Sequence, residues 1–199
     1  MDTKSHILRT ALDLFLQHGY EKTSLNQIAQ EVGITKPAIY HHFKNKDQLF
    51  HEVLTFFFEE MGNWSSRQFQ DCENLKELLR AFMKSLKSFR EVTHILLGKE
   101  KEDASYSFIE LLLAASKRDP SIQKRIEKGF LISRQRLTEE LIEAQKKGEI
   151  RSDIDCEVFA YQIHAVIEGT GLISYLDKSI DIETIGKQLF ENIWKMLKK

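Results

Sequence analysis

Proline occurs twice and glycine nine times in the 199 residues. So few breakers and turn formers argue against a hairpin-rich sheet protein and favour an all-helical chain. Cysteine is equally scarce. Cys72 and Cys156 lie far apart and lack metal-ligand spacing, which disfavours a secreted disulfide framework and fits a reduced, cytoplasmic setting. The longest apolar run, Leu111 to Ala115, falls far short of the roughly 20 residues that span a bilayer, so no membrane partner is expected. Met1-Asp2-Thr3-Lys4-Ser5 leads directly into an amphipathic pattern with none of the features of a signal peptide. A charge excess is missing too. The formal net charge is −1, and residues 1–50 hold six Lys/Arg against five Asp/Glu. Any nucleic-acid binding must therefore come from local placement of cations and helix N-termini, not from a basic field.

What remains is enough for a core: 42% of residues are hydrophobic and 30% charged. The most informative stretch is Ser24 to Phe43. Leu25, Ile28, Ala29 and Val32 recur at the spacing of one helix face. Ser24 stands as an N-cap with Gln27 three residues on, the pattern of a capping box. Gly33 interrupts where the backbone needs positive φ. Thr35 is then expected to cap a second helix whose first turn tolerates Pro37. This helix turns Ile39 and Phe43 inward and leaves Lys36, Ala38, Tyr40, His41 and His42 on its other faces. Two short helices around a glycine turn are the form of a DNA-reading helix-turn-helix.

The run GITKPAIYHHFKNKDQLF resembles the signature of the tetracycline-repressor (TetR) family of bacterial regulators. The resemblance rests on the Ala29-to-Gly33 spacing, the Tyr-x-His-Phe close and a lysine at the start of the next helix, and it covers about the first quarter of the chain. It implies an all-α protein: an N-terminal three-helix DNA-binding domain over residues 1–63, with the helix-turn-helix at 24–43, then a larger effector-binding and dimerisation domain over 64–199.

Along the chain, about nine helices are expected. The first runs from about Thr3 to His18, closed by Gly19 as a C-cap. Asn45 caps a fourth from Lys46 to about Arg67, with Gln48 at N3. A fifth covers Leu75 to Leu97, followed by the charged stretch Lys99 to Asp103 and a helix from Ala104 to Lys117. Asp119-Pro120 marks the next start, and Lys146-Lys147-Gly148 its end. Asp155 and Asp181 cap the last two, and the first of these is apolar on more than one face, which calls for more burial than a monomer's core supplies. Gly169 and Gly171 would let another helix approach closely. Ile163, Ile167, Ile185, Leu189 and Ile193 are assigned with them to a symmetric dimer seam. Dimerisation through the last two main helices is what the resemblance implies.

One short reading helix contacts too few bases for useful specificity, so a homodimer on a palindromic operator is expected. Thr35, Lys36, Ala38 and His41 are assigned to bases or the groove wall, with Pro37 in the same turn. Tyr40, Lys46 and Ser24 are assigned to phosphate. Lys46 is the sharpest of these, because a cation at a helix start opposes the macrodipole. Phe57, Trp64, Phe82, Phe89, Phe108 and Phe130 supply aromatic surface for an apolar cavity that accepts a small hydrophobic or aromatic effector. By resemblance, such an effector would tilt the fourth helix and release the DNA. His41 and His42 point about 100° apart on a helix and do not suit a metal. His164 and Glu168 read as a hydrogen-bonded i, i+4 pair. No Ser/His/Asp order, phosphate-cradling glycine loop or Cys/His cluster appears, so no catalytic residue, metal or cofactor is assigned. Two other classes stand against the regulator reading: a helix-turn-helix relic that binds protein, and an all-α ligand carrier or enzyme. Neither accounts for the pattern of residues 24–46.

Overall fold

The computed structural model describes residues 2–98 and 104–198, with the side chains of 89, 90, 104–108 and 175 left aside. The stretch 99–103, read above as charged, and the side chains of Phe89 and Phe108 thus lie outside the described residues. Among the described residues ten α-helices follow one another: α1 Thr3–Lys22, α2 Leu25–Val32, α3 Lys36–His42, α4 Lys46–Phe69, α5 Leu75–Lys84, α6 Ser88–Leu97, α7 Ala104–Arg118, α8 Pro120–Lys146, α9 Cys156–Leu176 and α10 Ile182–Leu197. The protein is all-α.

The extra helix relative to sequence expectation comes from Leu75–Leu97. A 3-10 turn over Ser85–Lys87 divides it, and the Ser85 hydroxyl donates to the Phe82 carbonyl at 2.6 Å. A serine that bonds back to the preceding turn competes with the α-helical ladder, and periodicity alone does not register this. Gly19 takes the non-helical angles φ 76° and ψ 165° and breaks α1 where its C-cap was expected; helical backbone resumes beyond the kink as far as Lys22.

The chain divides into two compact units. The first holds Met1–Trp64 together with Phe89–Gln123, and the second holds Ser65–Ser88 with Lys124–Lys199. Residues 89–123, expected with the C-terminal domain, thus pack within the N-terminal unit. α4 and α8 each contribute residues to both units.

In the first unit Ile7, Ala11, Leu12 and Phe15 of α1 are buried, as are Ile28 of α2, Ile39 of α3 and Leu49 and Val53 of α4. Phe15 and Phe50 meet edge to face at 5.2 Å between centroids. The segment 89–123 is tied to this body by polar links as well: Trp64 Nε1 donates to Glu91 at 2.8 Å, and Arg9 donates to the carbonyls of Ile95 and Leu96 at the end of α6. A cation there suits the negative end of a helix. His51 Nδ1 sits 2.7 Å from the Asp119 carboxylate.

The second unit has its own core. Leu78, Leu79 and Phe82 of α5, Leu137 and Leu141 of α8, Ala160, Ile163 and Ile167 of α9, and Phe190, Ile193 and Leu197 of α10 form one buried cluster. α10 lies close to the end of α5, where a Cβ on Gly186 would meet Leu86 Cδ1 at 3.4 Å and the Met83 carbonyl oxygen at 3.6 Å.

Gly33 is the turn between α2 and α3, with φ 76° and ψ 30°. Space is not the constraint there, because an added Cβ would meet nothing within 4 Å. The constraint is the left-handed backbone, so Gly33→Ala is expected to cost roughly 1 kcal/mol. Chemical denaturation of the two chains measures it.

Candidate nucleic-acid interface

α2 starts as its residues require. Ser24 Oγ accepts from the Gln27 amide at 3.2 Å, and Gln27 Oε1 accepts from the Ser24 amide at 2.8 Å. The box satisfies two donors at an exposed helix start. The Ser24 oxygen accepts within the cap, which leaves its O–H as a donor. α3 differs: Thr35 occupies the N-cap position in extended backbone but makes no side-chain cap bond, contrary to expectation, and it stays exposed. Pro37 sits in the first turn, where amides lack intrahelical partners.

The burial of α3 sorts its residues. Ile39 and Phe43 are wholly inside. Thr35, Lys36, Pro37 and His41 are exposed, Ala38 is half-buried, and Tyr40 is 48% exposed. Five of the assigned reading residues thus share an outward surface, and a large aromatic stands on it without being covered. Lys36 Nζ lies 6.0 Å from the Tyr40 ring centroid.

Beside this surface opens a concavity of about 300 Å³ bordered by Glu21, Lys22, Ser24, Lys36, Tyr40 and Lys46. The first residues of α2, Leu25 and Asn26, also line it, so the positive end of the α2 dipole meets three lysines there. Lys46 is half-buried. Its Nζ lies 4.1 Å from the Tyr20 ring centroid and donates to the Glu21 carbonyl at 3.4 Å. Burial pushes its amine below the usual lysine range, against the opposing pull of Asp47. Tyr20 is the hub of this corner. Its hydroxyl donates to Asp47, and burial, then the bond to and charge of Asp47, push the phenol up to about 12. Arg118 at the end of α7 also faces the Tyr20 ring, at 4.6 Å, and pairs with Glu21. Sequence reasoning missed Tyr20, Glu21 and Arg118. The position of Tyr20 straight after Gly19 was a usable signal; that of Arg118, 97 residues from Glu21, was not.

In the second unit the residues assigned to a dimer seam separate into two groups. Ile163, Ile167 and Ile193 lie in the unit's own core, so their burial requires no second copy. Gly169, Gly171, Ile185 and Leu189 are half-buried. The uncovered apolar side chains of α9 are others: Val158, Tyr161, Leu172, Ile173 and Leu176, with Met196 of α10. Hydrophobicity on several sides of α9 did not reveal which side faces inward. The assigned pocket aromatics are also divided. Phe57 and Trp64 are buried in the first unit, whereas Phe82 and Phe130 belong to the second. These last two present edge-to-face contacts to His164, at 6.1 and 5.6 Å between centroids. His164 Nε2 is 3.2 Å from Ser133 Oγ. Burial and the nearby Arg134 charge push this imidazole below its ordinary value. Its contact is thus with Ser133, and no hydrogen bond to Glu168 is observed among the described residues. Nor do the described residues hold a group of three or more His, Cys, Asp or Glu arranged for a metal ion, or a helix long and apolar enough to cross a membrane.

The sequence pattern of bacterial regulatory proteins of the tetR family matches residues 7–53, and that of the tetracyclin repressor-like C-terminal domain matches residues 107–185. Together the two matches span more than half of the chain. The chain belongs to the TetR family. Among relatives of this TetR-family chain, the HTH-type transcriptional regulator AcrR of Shigella flexneri is 52% identical over 52 residues, which is 26% of this chain and 24% of that protein. The chain thus aligns with only about a quarter of that relative's length. A crystal structure described as a transcriptional regulator from Saccharomonospora viridis in complex with choline is similar with a TM-score of 0.78 at 19% identity, covering 98% of this chain and 97% of that one. A complex of SmeT with triclosan is similar with a TM-score of 0.71 at 21% identity, over 100% and 93% of the two chains. At these identities the structural likeness shows the fold.

The Tyr20 environment of this TetR-family chain has a measurable consequence. The folded phenol keeps its proton to about pH 12, whereas an unfolded one loses it near pH 10. Its contribution to stability is therefore complete below about pH 10 and lost as pH rises from there through about 12. In a spectrophotometric phenolate titration, Tyr20→Phe is expected to remove a component that titrates near pH 12.

Proposed function

We propose that this TetR-family chain is a homodimeric transcriptional regulator that represses from a palindromic operator and is released by a small hydrophobic or aromatic effector. One observation carries the DNA-binding part: the outward surface of α3, with Thr35, Lys36, Pro37, Tyr40 and His41 exposed, stands beside the lysine-lined concavity at the start of α2. The first suits base edges in a major groove, and the second suits a backbone phosphate. In this reading Lys22, Lys36 and Lys46 supply the cationic contacts that a near-neutral chain otherwise lacks, Tyr40 and Ser24 reach the backbone, and Ala38 and His41 face the groove.

A helix of seven residues spans about 10 Å and meets only a few base pairs, so a second copy extends the site and sets half-sites about one helical turn, 10–10.5 bp, or a multiple apart. The uncovered face of α9, where Tyr161 is 62% and Leu176 69% exposed, supports a symmetric interface on that side, with Gly169, Gly171, Ile185 and Leu189 at its margin. The effector reading draws on the Phe82, Phe130 and His164 contacts, apolar walls around one polar ring, and on the choline and triclosan bound by the two similar proteins. An effector releases DNA only if it binds the released state more tightly.

Selection from random duplex DNA tests the proposal: a palindromic motif is expected, and retention of no DNA would refute it. Lys46→Ala is expected to weaken binding on all sequences alike and to lower the log-log salt slope by about 1, read by titration at several salt concentrations. Ile173→Glu is expected to shift the chain to a monomer in sedimentation and to abolish palindrome preference.

A further inference from the structure

Glu21 is out of place in the concavity. Its neighbours there are Lys22, Lys36 and Lys46, and a bare carboxylate facing an incoming phosphate would oppose the cations. The residue that answers it comes from far along the chain. Arg118, the last residue of α7, pairs with Glu21, and its guanidinium carbon lies 4.6 Å from the centroid of the same Tyr20 ring that Lys46 faces at 4.1 Å. The next residue, Asp119, holds His51 of α4 at 2.7 Å, which fixes the α7–α8 junction to the body that carries α3. Asp47, the remaining acid of the corner, accepts from the Tyr20 hydroxyl. We propose that Arg118 is a positioning residue for DNA binding: it neutralises Glu21 beside Tyr20 and Lys46, so that the concavity offers phosphate a net cationic surface. This deepens the DNA-binding reading and rests on it.

Both members of the pair are substantially exposed, at 46% and 72% of their side-chain area, so the pair contributes little to folding in itself. Its effect appears when a polyanion arrives, because an uncompensated like charge then acts at close range. The assignment is specific to charge. A phosphate contact made by Arg118 itself would weaken binding on removal whatever stands at position 21, whereas a neutralising role disappears once Glu21 is uncharged.

The test is a double-mutant cycle on the full chain, with a fluorescent duplex taken from the random-site selection and circular dichroism to verify that each variant is folded. Arg118→Gln is expected to weaken binding by about threefold to tenfold. Glu21→Gln is expected to bind as tightly as the unaltered chain or tighter. The double variant is expected to fall within about twofold of Glu21→Gln alone, which is the signature of coupling between neighbours, and Arg118→Lys to recover part of the loss. An Arg118→Gln chain with unchanged affinity, a Glu21→Gln chain that binds more weakly, or a double variant as weak as Arg118→Gln would each overturn the assignment. Failure of the unaltered chain to bind any duplex would instead remove the DNA-binding reading, and this proposal with it.

Discussion

A seven-residue helix does not persist in water by itself, because nucleation costs more than two turns return. α3 therefore depends on what its inner side chains bury. Ile39 and Phe43 lie wholly inside the first unit, and each such burial stabilises by about 1.5–3 kcal/mol. Everything proposed for the outer surface follows from this anchoring. Two apolar residues four positions apart fix the helix axis, and the positions between and beside them are left to solvent. Gly33 sets the angle at which α3 leaves α2 through its left-handed backbone, and the capping box of Ser24 and Gln27 fixes where α2 begins.

The near-zero net charge of the chain is compatible with the proposed DNA binding because of where its cations lie. Three lysines converge on the start of α2, so a local cationic patch exists without a basic domain. The same corner holds two acids, and each has a partner: Asp47 the Tyr20 hydroxyl, Glu21 the Arg118 guanidinium. The contrast with isolated surface ion pairs lies in the shared ring. Tyr20 receives both Lys46 and Arg118 within cation–π range, which joins residues of α1, α4 and α7 in one cluster.

Much of this was legible because short-range chemistry controls it. The caps at Ser24, Asn45, Asp155 and Asp181 were readable one residue at a time, and all four side chains accept helix-start amides in the structure. The exposed face of α3 was readable from the spacing of Ile39 and Phe43. The failures have a common cause: they depend on what a helix meets, which periodicity does not encode. α9 is apolar on several sides, so the pattern named Ile163 and Ile167 without showing that their partners are α5, α8 and α10 of the same chain. Aromatic residues that seemed to form one wall belong to separate units. The division of Leu75–Leu97 turns on a single serine hydroxyl. Arg118 carried no sequence signal at all, because its meaning lies in a residue nearly a hundred positions away.

The setting of Lys46 also bears on covalent chemistry. Burial lowers its amine below the ordinary lysine range, against the pull of Asp47, and its Nζ is held between the Tyr20 ring and the Glu21 carbonyl. Acylation of this amine would erase the charge that Tyr20, Glu21 and Arg118 surround, which would make the lysine-lined corner sensitive to amine-modifying reagents.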